Sequence, residues 1–218
     1  MQATALTKYY NIKRKNRQEL VKALDGVNLN LPEGLSTVLV GESGCGKSTL
    51  LRLLLLLERP TTGAIRFRGE DLYSAGENNI LTYRSAIQAV IQDAGASLNP
   101  RLPAGESIAE PLINLKPDLN RFERAKKVAA ALEQVGLDRG NAKRYPHEIS
   151  GGQQRRVALA RALIAQPKLI LCDEATSGLD VSVQAQLLNL LLDLQEQQGL
   201  HYFFVSHDLA VVRYLCPQ

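Results

Sequence analysis

The chain predicts an α/β fold built on a mostly parallel sheet. An apolar strand runs into a glycine-rich loop and a helix between Ser36 and Leu57, and a second apolar strand ends in Asp173-Glu174. Strands and helices then alternate to the end, which is the pattern of a parallel sheet. With 218 residues, 45% of them hydrophobic, the chain predicts one domain over residues 1–218.

Leu24 to Leu31 alternates apolar and polar residues, and Pro32-Glu33-Gly34 turns the chain into a buried strand, Ser36 to Val40. A helix follows from Lys47 to about Leu57, ended by Pro60 and Gly63. Ala64 to Gly69 alternates again, and Ile87 to Ile91 is a short strand leading into Gln92. From Arg121 to Val135, Phe122, Ala125, Val128, Ala129, Leu132 and Val135 recur at helical spacing and predict a helical insertion in the middle third. Gln153 to Ala165 predicts a helix ending before Pro167. A strand (Lys168 to Cys172), a helix (about Val183 to Gln198, ended by Gly199) and a strand (Tyr202 to Val205) complete the order.

Composition excludes more than it identifies. The 26 Lys and Arg against 22 Asp and Glu give a net charge of +4, but the basic residues are scattered. The densest run, Lys13 to Arg17, reads as a solvated hairpin loop, with a phosphate-binding patch as the alternative. Cys45, Cys172 and Cys216 lie far apart and form no C-x-x-C pair, so neither a disulfide framework nor a zinc site is expected, and a reducing compartment fits. The N-terminus shows no signal peptide. Leu50 to Leu57 is too short to cross a bilayer, so any membrane role is expected to be peripheral.

The chemistry sits in two stretches. Gly41-Glu42-Ser43-Gly44-Cys45-Gly46-Lys47-Ser48-Thr49 fits the phosphate-cradling pattern G-x-x-x-x-G-K-[ST] in the strand–loop–helix setting that the pattern requires. Glycines allow the backbone to approach a phosphate, and the helix directs its positive end at it. Lys47 is expected to bridge the β- and γ-phosphates, and Ser48 to bind Mg²⁺. Asp173 ends an apolar run, where a carboxylate needs a cation, so it is the second candidate for Mg²⁺. Glu174, on the opposite side of an extended chain, is the candidate general base. The plainer alternative is that Asp173-Glu174 caps the next helix. His207 closes a strand where a γ-phosphate contact would sit, and Gln92 is either a polar strand end or a neutral ligand to Mg²⁺ or the attacking water.

Together with Ile149-Ser150-Gly151-Gly152-Gln153, these residues resemble the nucleotide-binding subunits of ABC transporters, and the similarity runs from about Leu6 to the C-terminus. The resemblance implies a P-loop NTPase core of mostly parallel sheet, an antiparallel β subdomain and a helical subdomain over about 93–165. It makes Gly41 to Thr49 the Walker A loop, Gln92 the Q-loop, Ile149 to Gln153 the signature, Leu169 to Asp173 the Walker B strand, Ser177-Gly178-Leu179-Asp180 the D-loop and His207 the switch histidine. Tyr10 resembles the aromatic residue that stacks on adenine, with Tyr9 as the alternative. The family implies ATP and Mg²⁺, and a second ABC ATPase subunit, like or unlike, facing this one head to tail. Ser150, Gly151 and Gly152 then serve the partner's nucleotide, and Gln153 and Asp180 are further expected nucleotide-binding residues.

Ala96 to Arg101, Asp180 to Gln186 and Ser206 to Leu209 are similar to the oligopeptide, dipeptide and nickel importer branch. That branch implies transmembrane permease subunits met by residues from Gln92 to about Arg144, and indirectly an extracytoplasmic binding protein. It also implies a peripheral place on the cytoplasmic face of the plasma (inner) membrane, with no nucleic acid. Ile149 and Gly178 depart from the usual leucine and alanine, Leu55 stands where glycine is common, and Ala94-Gly95 replaces a proline–aromatic pair. The family normally continues past Cys216, so a truncated C-terminal part is expected. The competing expectations are a soluble ABC-type ATPase acting on ribosomes or DNA, and a nucleotide-binding module without turnover.

Overall fold

The computed structural model describes residues 1–14, 17–74 and 76–215. Lys15 and Asn16, at the centre of the expected hairpin loop, and Cys216-Pro217-Gln218 lie outside the described residues.

Two four-stranded sheets carry the chain. The antiparallel sheet has the order β2-β1-β4-β5, from β1 (Gln2–Arg14), β2 (Arg17–Asn30), β4 (Thr62–Phe67) and β5 (Glu70–Asp71). The parallel sheet has the order β3-β8-β7-β6, from β3 (Thr37–Val40), β6 (Ile87–Val90), β7 (Leu169–Asp173) and β8 (His201–Ser206). The sequence predicts strand character in the first hairpin only from Leu24, whereas the strands reach back to Gln2. Their pairing is broken by register shifts between Ala3 and Tyr9, which blur the alternation. β4 closes tightly on this irregular stretch: Gly63 has φ +94, and a Cβ there would fall 2.5 Å from the Ala5 carbonyl.

Both faces of the parallel sheet are covered, as a run of buried apolar residues requires. Leu171, Phe203 and Val205 pack with Leu6, Leu53 and Ile65 under the antiparallel sheet. Ile170, Cys172, Tyr202 and Phe204 face the other way, into a core with the helices α4 (Ala104–Leu115), α5 (Arg121–Gln134), α6 (Gly151–Leu163) and α7 (Val181–Gln198). Each side of β7 and β8 therefore anchors a different layer, and the ends of these strands are fixed from both sides.

The first helix, α1 (Lys47–Leu54), stops short of the expected Leu57 because Leu56 enters the left-handed region at φ 56. α2 (Glu77–Ala86) and α4 were not legible as helices, while α3 (Ala94–Ser97) is a single turn capped by Asp93. On α5, Val128 and Leu132 are buried as the spacing predicts, but Phe122 is 79% exposed. Its position in the first turn carries it past the edge of the core. α8 (Leu209–Leu215) follows β8.

Candidate active site

Four strand ends and one helix start converge to build the site. β3 delivers the loop 41–46, and α1 begins at Lys47 behind Gly46, whose φ is 98. A Cβ on Gly46 would lie 2.4 Å from the Ala23 carbonyl, so only glycine fits where the loop passes β2. No side chain caps α1, so its first backbone N–H groups are left for a ligand. Lys47 is 92% buried, with Nζ donating to the carbonyls of Gly41 at 2.7 Å and Glu42 at 2.6 Å. Those bonds fold the ammonium across the loop, poised for an anion that would compete with the carbonyls. Cys45 is exposed and its Sγ lies 3.7 Å from Lys47 Nζ, whereas Cys172 is buried in the core and burial pushes its thiol up.

Ser48, in the first turn of α1, stands on the side of the Asp173 carboxylate at the end of β7. Burial raises the Asp173 carboxyl above its ordinary value, and the Ser48 hydroxyl pulls the other way. Among the described residues no group of three or more His, Cys, Asp or Glu side chains gathers to hold a metal. One hydroxyl and one half-buried carboxylate instead make the sparse, hard-oxygen set that suits a hydrated Mg²⁺ carried in with phosphates.

Glu174 is not on the extended strand that the sequence predicts. Its φ is 45, in the left-handed region, while its N–H still donates to the Val205 carbonyl at 3.0 Å. Leaving the strand there turns the side chain toward two other elements. Gln92 Nε2, just past β6, donates to Glu174 Oε2 at 2.9 Å, and His207 Nδ1, just past β8, lies 2.9 Å from Glu174 Oε1. The Glu174 side chain is 18% exposed and His207 61%, so the carboxylate is sheltered and the imidazole faces outward. Gln92, Glu174 and His207, far apart in the chain, thus meet at one carboxylate beside Asp173. The expectation that Asp173-Glu174 caps the next helix fails, because Asp180 caps α7 by accepting from Val183 N at 3.0 Å.

The other glycine-led turn is built differently. Ser150 is the N-cap of α6, its Oγ accepting from Gln153 N while the Gln153 side chain accepts from Ser150 N. Both side chains are spent on the helix, which leaves Gly151 exposed at its start, while Gly152 is half-buried against Val183. Arg155, one turn on, donates to the Ser177 carbonyl and ties the D-loop residues to α6. Asp180 is occupied as a cap, so it reaches toward no nucleotide in the single chain. Among the described residues no hydrogen bond or ion pair joins the loop 41–49 to the turn 150–153.

Tyr10 lies at the side of α1, with its hydroxyl donating to Glu58 Oε2 at 2.6 Å. Lys8 Nζ is 5.1 Å from the Tyr10 ring centroid and 3.2 Å from the same carboxylate. Tyr9 points elsewhere, donating to Asp25 at 2.5 Å. Sequence reasoning missed Lys8, Glu58 and Arg155. Only Arg155 had a signal, its closeness to the signature, since Glu58 belongs to no recognisable motif.

The family model described as "ABC transporter" matches residues 24–177. The di/tripeptide transport ATP-binding protein DppF of Pseudomonas aeruginosa is 47% identical over 98% of this chain and 66% of that protein. The oligopeptide transport ATP-binding protein OppF of Salmonella typhimurium is 50% identical over 89% of this chain and 58% of that protein. The chain thus spans slightly less than two thirds of the curated relatives it matches. A structure described as the dimeric post-hydrolysis state of the ATP-binding cassette MJ0796 with ADP and Pi superposes with a TM-score of 0.85 at 33% identity, covering 98% of this chain and 90% of that one. The fold, the site geometry and these matches lead to one conclusion: the chain belongs to the ABC transporter family.

Proposed function

We propose that the chain is the Mg·ATP-hydrolysing subunit of a peptide importer. The observation that carries this reading is the Glu174 carboxylate, held between Gln92 and His207 and next to Asp173, at the open end of a phosphate loop. The loop residues Gly41, Glu42, Ser43, Gly44, Cys45, Gly46, Lys47, Ser48 and Thr49 would hold the phosphates, Tyr10 the adenine, and Ser48, Asp173 and Gln92 a Mg²⁺ ion. When bound, that ion would neutralise phosphate charge. Glu174 would take the proton from water as the water oxygen bonds to the terminal phosphorus and the bond to the leaving diphosphate breaks. A general base of this kind contributes about 10²–10⁴-fold. His207 and Gln92 would hold the carboxylate's direction through the two bonds it already accepts.

The exposed turn Ser150-Gly151-Gly152-Gln153 would complete the site of a second ATPase subunit, a reading supported by the dimeric MJ0796 cassette. Permease subunits would dock in a groove of about 760 Å³ between the segment after α1, α2 and β6 on one wall and α4 and α6 on the other. Leu57, Leu81 and Ile91 stand exposed along it, a patch that a lone soluble domain would not favour. Among the described residues no helix is long and apolar enough to cross a membrane, which fits a peripheral subunit on the cytoplasmic face. Peptide is proposed over chelated nickel because the relatives named for di/tripeptide and oligopeptide transport are 47% and 50% identical.

The test is the solution mass of the Glu174→Gln chain by light scattering, with and without ATP, alongside wild-type turnover. The reading expects a monomer that dimerises only with ATP, and a turnover loss of about 10²–10⁴-fold in the variant. Undiminished turnover in Glu174→Gln would overturn the assignment of the base. A wild-type chain that binds ATP without turnover would favour the nucleotide-binding module.

A further inference from the structure

We propose that Glu58 and Lys8 are positioning residues that set the Tyr10 ring as the platform for the nucleotide base and fix its distance from the phosphate loop. The proposal rests on the reading of Tyr10 as the base-stacking residue.

A tyrosine on a two-stranded arm would ordinarily sample several rotamers, and a base stacking on it would have to freeze that motion. Here the ring is held at its tip and over one face. Its hydroxyl donates to Glu58 Oε2 at 2.6 Å. Lys8 bonds the same carboxylate at 3.2 Å, donates to the Arg59 carbonyl at 2.8 Å, and places its ammonium 5.1 Å from the ring centroid. One face of the ring is therefore taken by a cation, and the proposal sets the base against the other.

Glu58 is itself fixed. Arg52 Nη1 stands 3.6 Å from Oε1, and Tyr73 Oη donates to the Glu58 carbonyl at 2.7 Å and to the Leu53 carbonyl at 3.2 Å. Arg52 lies on α1, the helix whose first turn is read as the phosphate cradle. Base platform and phosphate site are thus pinned to one rigid element, although Tyr10 belongs to the antiparallel sheet. The hydrogen bond from Tyr10 holds the Glu58 carboxyl below its ordinary value, and burial raises the Tyr10 phenol, so this charged–neutral pairing persists through neutral pH.

Titration calorimetry of the 218-residue chain with Mg·ATP and with Mg·tripolyphosphate separates base from phosphate binding. Tyr10→Ala is expected to weaken ATP about tenfold or more and leave tripolyphosphate unchanged. Glu58→Ala is expected to weaken ATP about three- to tenfold, again without touching tripolyphosphate. Glu58→Gln, whose amide oxygen still accepts from Tyr10, should recover part of that loss. Adding Glu58→Ala to Tyr10→Ala should cost nothing more.

Equal loss of both ligands in Glu58→Ala would show a merely structural role and overturn the proposal. So would unchanged ATP affinity in Glu58→Ala while Tyr10→Ala loses it. If Tyr10→Ala shows no loss confined to ATP, the reading of Tyr10 falls, and this proposal falls with it.

Discussion

Two helices of this chain begin behind glycine-rich turns, and they begin in opposite ways. α1 starts at Lys47 behind a left-handed Gly46 with no side-chain cap, and its lysine is folded inward onto the carbonyls of its own loop. α6 starts at Gly151 with Ser150 and Gln153 locked in a capping box, Gly151 facing outward. A helix start left without a cap inside a folded chain is a place kept for an anion, because its orphan N–H groups have no other partner. A start whose own side chains satisfy it has finished its local structure, and what it still offers is exposed backbone for another molecule. Two glycine-rich turns are therefore proposed to mark different relations, one to a ligand held within the chain and one to a second subunit.

The sharpest way to break this contrast is Gly46→Ala. A Cβ there meets the Ala23 carbonyl at 2.4 Å and the backbone sits at φ +98, so stability is expected to drop by about 2–3 kcal/mol. ATP affinity should collapse with it, as read by denaturant melts and calorimetry. A variant as stable as the wild type would show that the loop does not need its close pass against β2. Gly151→Ala comes next, because nothing lies within 4 Å of its Cβ position. The isolated variant should fold and bind ATP normally, yet turnover should fall about tenfold if the turn serves a second subunit, since one methyl then sits in a close interface. Normal turnover in Gly151→Ala would leave the outward turn without a role in the reaction.

A smaller change is expected from Ser150→Ala, which removes the cap of α6 and should cost about 1 kcal/mol in a urea titration. The smallest effect concerns the charge that the phosphate side buries. Burial raises the Asp173 carboxyl, so the folded chain holds that proton more tightly than the unfolded one. Its contribution favours folding below the unfolded pKa and is lost as pH rises through the folded value, so ionised Asp173 costs stability near pH 7. Asp173→Asn should therefore raise the melting temperature slightly at pH 7, with the gain vanishing toward the ordinary carboxylate range. A lower melting temperature at pH 7 would mean that the favourable pull of the Ser48 side chain on the carboxylate outweighs burial.

What the sequence made legible was set by how local each requirement is. The phosphate loop is a contiguous backbone geometry, so its residues announce it. The capping box at Ser150 is likewise written within four positions. Glu174 was identified by type but misplaced by conformation, because its turn out of β7 depends on Val205 across the sheet. α4 stayed hidden because Pro111 in its interior argues against a helix, although there it removes only one N–H, the one that would pair with the Ser107 carbonyl. α2 stayed hidden because among its residues only Tyr83 is buried, too little to give a periodic stripe. Glu58 could not be found at all: its partners Lys8, Tyr10 and Arg52 meet only once the antiparallel sheet folds over α1.

The uncapped start of α1 has a thermodynamic corollary. The start of α1, where a nucleotide is proposed to bind, has no side-chain cap of its own, so nucleotide binding should act by mass action as a folding term. For a ligand that binds only the folded state, a hundredfold excess over Kd adds about 2.7 kcal/mol. Nucleotide supply would then regulate how long the subunit survives unfolding, quite apart from any cargo it moves.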